Sequence, residues 1–191
     1  MHTDLWNHAL ALYARPGVEA ACLELQALGG DVCLLLCATW LQARGVAVRD
    51  ERVQALREVT EPWQREVVNP LRSLRQQWRA AAQSDAQLAA LREQVKGLEL
   101  QAEKTLLERL QERSQQWPVG AHEPMEDWLD RLAPDQARHH DALVRLRVAA
   151  AALQDAEDRC LSRGAGRCRW RYRSCPGWPS WSRRPECWRL A

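Results

Sequence analysis

The stretch "DVCLLLCATWLQARG", residues 31–45, decides the fold because it is the most apolar run in the chain. Its apolar part is about ten residues long, whereas a helix that spans a bilayer needs roughly 20. Asp31 stands before it as a candidate helix cap, and Gly45 follows it as a stop signal. The stretch therefore predicts a helix at the centre of a hydrophobic core rather than a membrane span.

Helical patterns surround this central helix on both sides, and no strand pattern or internal repeat is visible. The fold class predicted is all-α, a compact multi-helix bundle with a long helical hairpin. Asp4, Asp50 and Asp85 are candidate caps. Besides the central helix, the patterns predict helices over residues 5–15, 18–28, 51–68, 69–82, 84–116, 125–132 and 134–158.

Two prolines stand inside otherwise helical text. Pro62 is expected in the first turn of a helix, after Thr60. Pro70 is expected to break or kink the helix near Val68 and Asn69, because proline lacks the N–H and clashes with the preceding turn.

The predicted long helix carries an apolar stripe at three- and four-residue spacing. Core packing explains such a stripe, and a short antiparallel coiled coil with a neighbouring helix is the alternative. The members of the stripe are Leu88, Leu91, Val95, Leu98, Ala102, Leu106 and Leu110.

Charge and composition divide the chain unevenly. From Cys160 onward there are eight arginines and one acidic residue, a net charge of +7, so the chain total of +2 leaves −5 for residues 1–159. We predict a helical core domain over residues 1–118. A linker and C-terminal helices packed on that core follow over 119–159, and an unstructured basic tail over 160–191 ends the chain.

Three interpretations of the tail remain open. Its cysteines are candidate zinc ligands, but their gaps of about seven, six and eleven residues are wider than structural zinc sites use. The segment "RCRWRYR" alternates arginine with aromatic residues, which suits single-stranded nucleic acid. The third interpretation is a GC-rich coding sequence that is translated out of frame. The four cysteines are Cys160, Cys168, Cys175 and Cys187.

The segment "NPLRSLRQQWR", residues 69–79, places a row of arginines beside the face that its helix must bury. Guanidinium groups in such a row suit a carboxylate or a phosphate. They equally suit salt bridges within the bundle, for which Glu19, Glu24, Glu58 and Glu61 are candidates. Lysine occurs only twice, so arginine carries almost all positive charge and the row is weak evidence for a site. The row consists of Arg65, Arg72, Arg75 and Arg79.

Glu24 lies close to the apolar face of the second helix, where a carboxylate usually needs a cationic partner. Pairing with Arg72 or Arg75 is the favoured interpretation. In the alternative, the three side chains form a small-molecule pocket or an active site, with Glu24 as a proton-transfer group.

Catalytic and metal motifs are not found in the sequence. There is no glycine loop for phosphate, no dinucleotide fingerprint, no HExxH and no GxSxG. His139 and His140 point about 100° apart on a helix, so they are poor joint ligands for one metal ion. We therefore predict no catalytic residue, no metal site and no cofactor.

Three segments resemble, in order and spacing, a small proteobacterial family of conserved hypothetical proteins with a domain of unknown function. They are "LWNHALALYARPGVEAACLELQ", "GGDVCLLLCATWLQARG" and "PWQREVVNPLRSLRQQWR". The resemblance covers residues 4–115 and extends toward 159, and it implies no catalytic residue. The positions that carry it are Trp6, Tyr13, Pro16, Gly17, Gln26, Gly30, Trp40, Gly45, Trp63, Pro70, Leu71, Arg72 and Arg75.

Taken together, these features favour a non-enzymatic cytoplasmic interaction protein. Its expected partner is an acidic protein or a small anionic ligand, bound through the helix over residues 65–79. The cytoplasm is expected because there is no signal peptide and no membrane span, and Cys22, Cys33 and Cys37 are then reduced thiols. A small-molecule binder or enzyme is the alternative, and nucleic-acid binding by the tail is the weaker one.

Overall fold

The central helix begins at a side-chain cap. In the computed structural model, which describes residues 4–120 and 126–162, the Asp31 Oδ1 atom accepts a hydrogen bond from the backbone N–H of Leu34 at 2.9 Å. The helix Val32–Ala43 follows, and every residue from Val32 to Leu41 is buried. This confirms the predicted helix at the centre of the core.

Regular structure within the described residues is entirely helical, which confirms the all-α fold class. A π-helical turn, Gln64–Val68, follows the fourth α-helix, and short 3₁₀ turns occur at Ala81–Gln83 and Asp135–Ala137. The α-helices are α1 (Leu5–Tyr13), α2 (Val18–Ala27), α3 (Val32–Ala43), α4 (Asp50–Trp63), α5 (Asn69–Gln77), α6 (Ala86–Ser114), α7 (Trp128–Leu132) and α8 (Asp141–Ser162).

The predicted long hairpin is formed by α4, the π-turn and α5 on one side and by α6 on the other. Arg72 of α5 reaches Glu103 of α6, and Arg75 reaches Glu99. Residue numbers therefore rise along α5 as they fall along α6, so the two helices run antiparallel. The Nε atom of Arg92 donates to the backbone carbonyl of Arg75 at 3.1 Å and closes the far end of the hairpin.

The hydrophobic core lies around α3, which contacts α1, α6, α7 and α8. Helix α8 packs mainly on α2. Trp128 of α7 is fully buried, and its indole N–H donates to the Val46 carbonyl at 2.6 Å. The C-terminal helices thus share one core with the N-terminal ones, and the division of the chain at residue 118 stays a prediction.

The predicted stripe on α6 is confirmed at Val95 and Ala102, which are buried, but it is wrong at Leu91 and Leu98. Leu91 and Leu98 are 48% and 53% exposed, whereas Glu99 and Glu103 are both 3% exposed. The true buried face is rotated toward the two glutamates, because the facing helix α5 presents arginines to them. The pattern holds farther along, where Leu106 and Leu110 are fully buried.

Local signals around α4 and α5 are partly corrected. Asp50 is the first residue of α4 rather than its cap. Pro62 lies inside α4 and not in a first turn. Pro70 occupies the first turn of α5, and the disturbance that it was expected to cause near Val68 takes the form of the π-turn before it.

The C-terminal boundaries also differ from the predictions. Helix α7 begins at Trp128 rather than near residue 125, and α8 begins at Asp141 after a 3₁₀ turn rather than at 134. Helix α8 continues to Ser162, past the predicted start of the tail. Trp117, which lies just after α6, stacks on Trp128 with a centroid separation of 6.1 Å. The tail beyond residue 162 lies outside the described residues.

Candidate functional site

Two arginines and two glutamates of the hairpin meet in a buried charged cluster. Arg72 donates from Nε to Glu99 Oε1 at 2.9 Å and from Nη2 to Glu103 Oε1 at 2.7 Å. Arg75 donates from Nε to Glu99 Oε2 at 2.5 Å and from Nη2 to Oε1 of the same carboxylate at 3.3 Å. The side chains of both glutamates are 4% exposed and that of Arg75 is 8% exposed. Glu99 thereby links both guanidinium groups.

Helical spacing brings these four side chains together. Arg72 and Arg75 are three residues apart on α5, and Glu99 and Glu103 are four apart on α6. Both spacings place side chains on one face of a helix. Because the helices are antiparallel, the two faces meet directly.

Asp31 joins the cluster from the N-terminus of α3. Burial raises the pKa of its carboxyl group. The backbone N–H of Leu34, the Gln64 side chain and the charge of Arg72 oppose that effect. Gln64 is presented by the π-turn, so the irregular part of the hairpin faces the cap of the central helix.

The charged cluster, now defined as Asp31, Arg72, Arg75, Glu99 and Glu103, contains three carboxyl groups and two guanidinium groups. Burial raises the pKa of Glu103 to about 7, and the attraction of Arg72 offsets only part of this effect. Burial lowers the pKa of Arg72, but its bonds to Glu99 and the charge of Glu103 outweigh burial and raise it overall. The cluster therefore holds a proton on a carboxyl group as the pH falls below neutrality.

The predicted partners of the arginine row were wrong, although internal pairing was among the interpretations. Glu24 pairs with Arg145 of α8 on the surface and does not reach Arg72 or Arg75. Arg65 is 72% exposed and pairs with its neighbour Glu66, and Arg79 is exposed. The structure thus brings together two of the five predicted site residues.

The outer side of the same hairpin is apolar and partly exposed to solvent. Leu71 and Leu74 of α5 and Trp78, which follows it, are half-buried, and Leu91 and Leu98 of α6 are exposed. Each residue turns the chain by about 100° around a helix. With the helices antiparallel and the arginines between them, these five apolar residues fall on one side of the hairpin.

We call this surface the neutral face, and it also includes Gln94 and Gly97 of α6. Sequence reasoning missed it because the leucines of α6 fit a core stripe. The signal in the sequence was the four-residue spacing of Glu99 and Glu103, which places both carboxylates on one side of α6, a different side from Leu98. The hairpin therefore buries charge and leaves leucine in contact with solvent.

A groove of about 760 Å³ lies elsewhere, between α4 and the end of α6. Arg109 covers the Trp63 ring beside it at 3.8 Å from the centroid, and Arg52 lies over Trp117 at 5.4 Å. It contains none of the residues of the predicted pocket, Glu24, Arg72 or Arg75. The groove is lined by Glu58, Val59, Arg109, Glu112, Arg113, Gln116 and Trp117.

Neither a cluster of metal-ligating side chains nor a membrane-spanning helix occurs in the parts of the chain that the structure describes. No group of three or more His, Cys, Asp or Glu side chains in residues 4–120 and 126–162 could hold a metal ion. Over the same ranges, no helix combines the length and the apolar character that crossing a bilayer requires. Cys22, Cys33 and Cys37 are buried free thiols, and burial raises the pKa of each.

Residues 4–110 match the model of a protein family described as "Protein of unknown function (DUF2390)". The chain belongs to this family. The matched range contains α1 to α5, most of α6 and the whole charged cluster, so the DUF2390 region includes the hairpin and the central helix. No curated protein and no solved structure matches the chain.

Proposed function

We propose that this DUF2390 protein is a non-enzymatic helical interaction protein that binds its partner through the neutral face of the hairpin. The observation that carries the proposal is the exposure of Leu91 and Leu98, at 48% and 53%, beside buried Glu99 and Glu103. A helix normally turns its leucines inward and its carboxylates to water. Contiguous exposed apolar patches are typical of interaction sites, and Leu91 and Leu98 continue on the same side of the hairpin into Leu71, Leu74 and Trp78.

The charged cluster supports this role by fixing the shape of the hairpin. Arg72 and Arg75 are already neutralised by Glu99 and Glu103, at 2.5 to 2.9 Å. An acidic partner would have to displace these carboxylates and leave them unpaired in a buried place, which is costly. We therefore assign the arginines to the stability of the hairpin and the apolar side chains to binding.

The cytoplasm is part of the proposal. The supporting observation is that Cys22, Cys33 and Cys37 are free thiols in the interior. Free thiols persist where the redox environment keeps cysteines reduced.

Site-specific photocrosslinking in the cells of origin tests this function. A photoreactive residue replaces Gln94, which is exposed between Leu91 and Leu98. The matched control carries it at Val148, which is 63% exposed and belongs to α8, the helix that packs mainly on α2. We expect one discrete adduct, identified by mass spectrometry, from position 94 alone.

A second change makes the result specific to the neutral face. Leu98→Glu adds a charge to the face and should abolish the adduct from position 94, because charge is disfavoured in an interface core. If position 94 yields no adduct beyond that from 148, or if Leu98→Glu leaves the adduct unchanged, the proposed function is wrong.

A further inference from the structure

The side of α6 that carries Leu91, Gln94 and Leu98 bears no charge between Ala90 and Gln101, although the helix as a whole is rich in charge. Within that span the charged residues Arg92, Glu93, Lys96 and Glu99 occupy the other sides, and the next charge on this side is Lys104, seven residues after Gly97. The uncharged side continues onto α5 through Leu71, Leu74 and Trp78. A helix side that only meets water would carry some of these charges. Its outward residues are instead Ala90, Leu91, Gln94, Gly97, Leu98 and Gln101.

Gly97 is the second feature of this side. It lies in the middle of the 29-residue helix α6, where glycine weakens a helix. A Cβ atom built at Gly97 would have nothing within 4 Å. No packing inside the described chain therefore requires glycine there. Glycine at a helix surface does permit the close approach of another helix.

We infer that the partner on the neutral face is a second copy of this chain, so that two hairpins pack about a twofold axis. This inference rests on the proposed function, and it names the partner. Twofold interfaces are the commonest in soluble oligomers, and they bring the same surface of each copy together. Near the axis a charged residue would meet its own copy, so a surface without charge is what such an interface needs.

The charge of the rest of the chain points the same way. Residues 1–159 carry a net charge of −5 and the segment from Cys160 onward carries +7, so two full chains of net charge +2 repel one another only weakly. The neutral face adds no like charge where the two copies touch. A different protein could instead be bound through opposite charges, which this face does not offer.

Symmetry and spacing suggest the register. If the two α6 helices run antiparallel about an axis near Gln94, Leu91 of each copy meets Leu98 of the other. Gly97 then lies next to this contact and lets the helices approach closely. Leu71 and Leu74 of α5, with Trp78 at its end, flank the contact and complete a four-helix arrangement.

Sedimentation velocity of the full chain under reducing conditions tests the inference. Over about 1 to 100 μM, the range in which modest interfaces associate, the wild type should approach twice its 21.9 kDa mass. Leu98→Glu should sediment as a monomer, and circular dichroism should show an unchanged helix content because Leu98 is exposed. Val148→Glu, an equally apolar and more exposed position, should stay dimeric.

A charge pair tests the register. Leu98→Glu and Leu91→Lys chains, each monomeric alone, should associate when mixed, since the antiparallel register places the new glutamate opposite the new lysine. A monomeric wild type, or loss of the dimer in Val148→Glu but not in Leu98→Glu, would overturn the inference. If the crosslinking adduct from position 94 has a mass other than two chains, the second copy is wrong while the interaction function stands. If there is no adduct, both fail.

Discussion

Arg75 and Glu99 are both almost fully removed from water, so each depends on the other for its missing hydration. Breaking such a pair is far more costly than removing it whole, because one charge is left buried without compensation. Arg72 also forms a salt bridge with Glu99, and it forms a second one with Glu103. The stability of the hairpin should therefore respond sharply to changes at these four positions.

We expect Arg75→Leu to lower the free energy of unfolding by about 3 to 5 kcal/mol, because it leaves Glu99 short of its closest partner. Urea unfolding of the full chain measures this value. The double change Arg75→Leu with Glu99→Leu should cost less than the single change. Arg65→Leu is the control, since Arg65 is 72% exposed and exposed pairs contribute within about 0.5 kcal/mol.

A fall in stability for Arg65→Leu as large as that for Arg75→Leu would contradict this account. So would a double variant that is less stable than Arg75→Leu. Either result would mean that the arginines act through something other than the pairs with Glu99.

Glu103 should make stability depend on pH. Burial raises its pKa in the folded chain to about 7 from an ordinary value of 4.5, so the folded state binds this proton more tightly than the unfolded state. The resulting stabilisation is complete below about pH 4.5 and is lost as the pH rises through about 7. Glu103→Gln keeps an acceptor oxygen for Arg72 without the charge, and should abolish this loss.

Urea unfolding at pH values from about 5 to 8 tests the prediction. We expect Glu103→Gln to gain stability relative to the wild type as the pH rises. Glu108→Gln is the control, because Glu108 is 55% exposed on the same helix and should follow the wild-type curve. Parallel curves for wild type and Glu103→Gln would show that Glu103 is not the titrating group.

The π-turn before α5 allows the hairpin to accommodate Pro70 in the first turn of that helix. The backbone N–H of Asn69 bonds to the carbonyl of Gln64, five residues back. A π-turn therefore carries one more residue than an α-helical turn. It thereby relieves the clash that a proline ring causes with the preceding turn of an α-helix.

Deleting the exposed Glu66 should convert the π-turn to α-helix and force Pro70 into a regular ladder. We expect a loss of about 3 kcal/mol in the free energy of unfolding, the cost of proline inside a helix. Pro70→Ala alone should change little, and Pro70→Ala combined with the deletion should recover most of the loss. Urea unfolding of the three variants measures this. A combined variant no more stable than the single deletion would refute the explanation.

Sequence patterns predicted where the helices of the hairpin lie along the chain, but they did not predict which side of α6 is buried. The cap at Asp85 predicted the start of α6, and Asp85 does accept hydrogen bonds from the backbone of Gln87 and Leu88. The buried side of α6 depends instead on what α5 presents to it. Because Arg72 and Arg75 come from a segment 20 or more residues away, the periodicity of α6 alone could not predict that Glu99 replaces Leu98 inside.

At the scale of the whole molecule, the candidate site could not be predicted from the pattern of single helices either, because it depends on which helices pack together. The apolar run of α3 was sufficient to predict the central helix, since a helix that is apolar on all sides can only be buried. Charge pairing is less predictable, because many acidic residues could reach Arg72 from a bundle of unknown arrangement. Glu24 seemed suitable for its place near an apolar face, yet α8 packs on α2 and provides Arg145 instead.

The C-terminal helices should be required for folding even though the DUF2390 match ends at residue 110. Trp128, Leu143 and Leu146 are each fully buried in the same core as α3. A chain that ends at residue 118 exposes the surfaces of α2 and α3 that α7 and α8 cover. Losing several large core side chains at about 2 to 5 kcal/mol each exceeds the stability of a typical domain.

We therefore expect the chain of residues 1–118 to show no cooperative thermal transition by circular dichroism, while a chain of residues 1–162 melts cooperatively. Trp128→Phe in the full chain is a milder version of the same change. It keeps most of the buried ring but removes the donor to the Val46 carbonyl, which costs about 1 to 3 kcal/mol when a buried acceptor is left unsatisfied. A cooperative transition of residues 1–118 near the temperature of the longer chain would show that α7 and α8 are an addition to a complete domain.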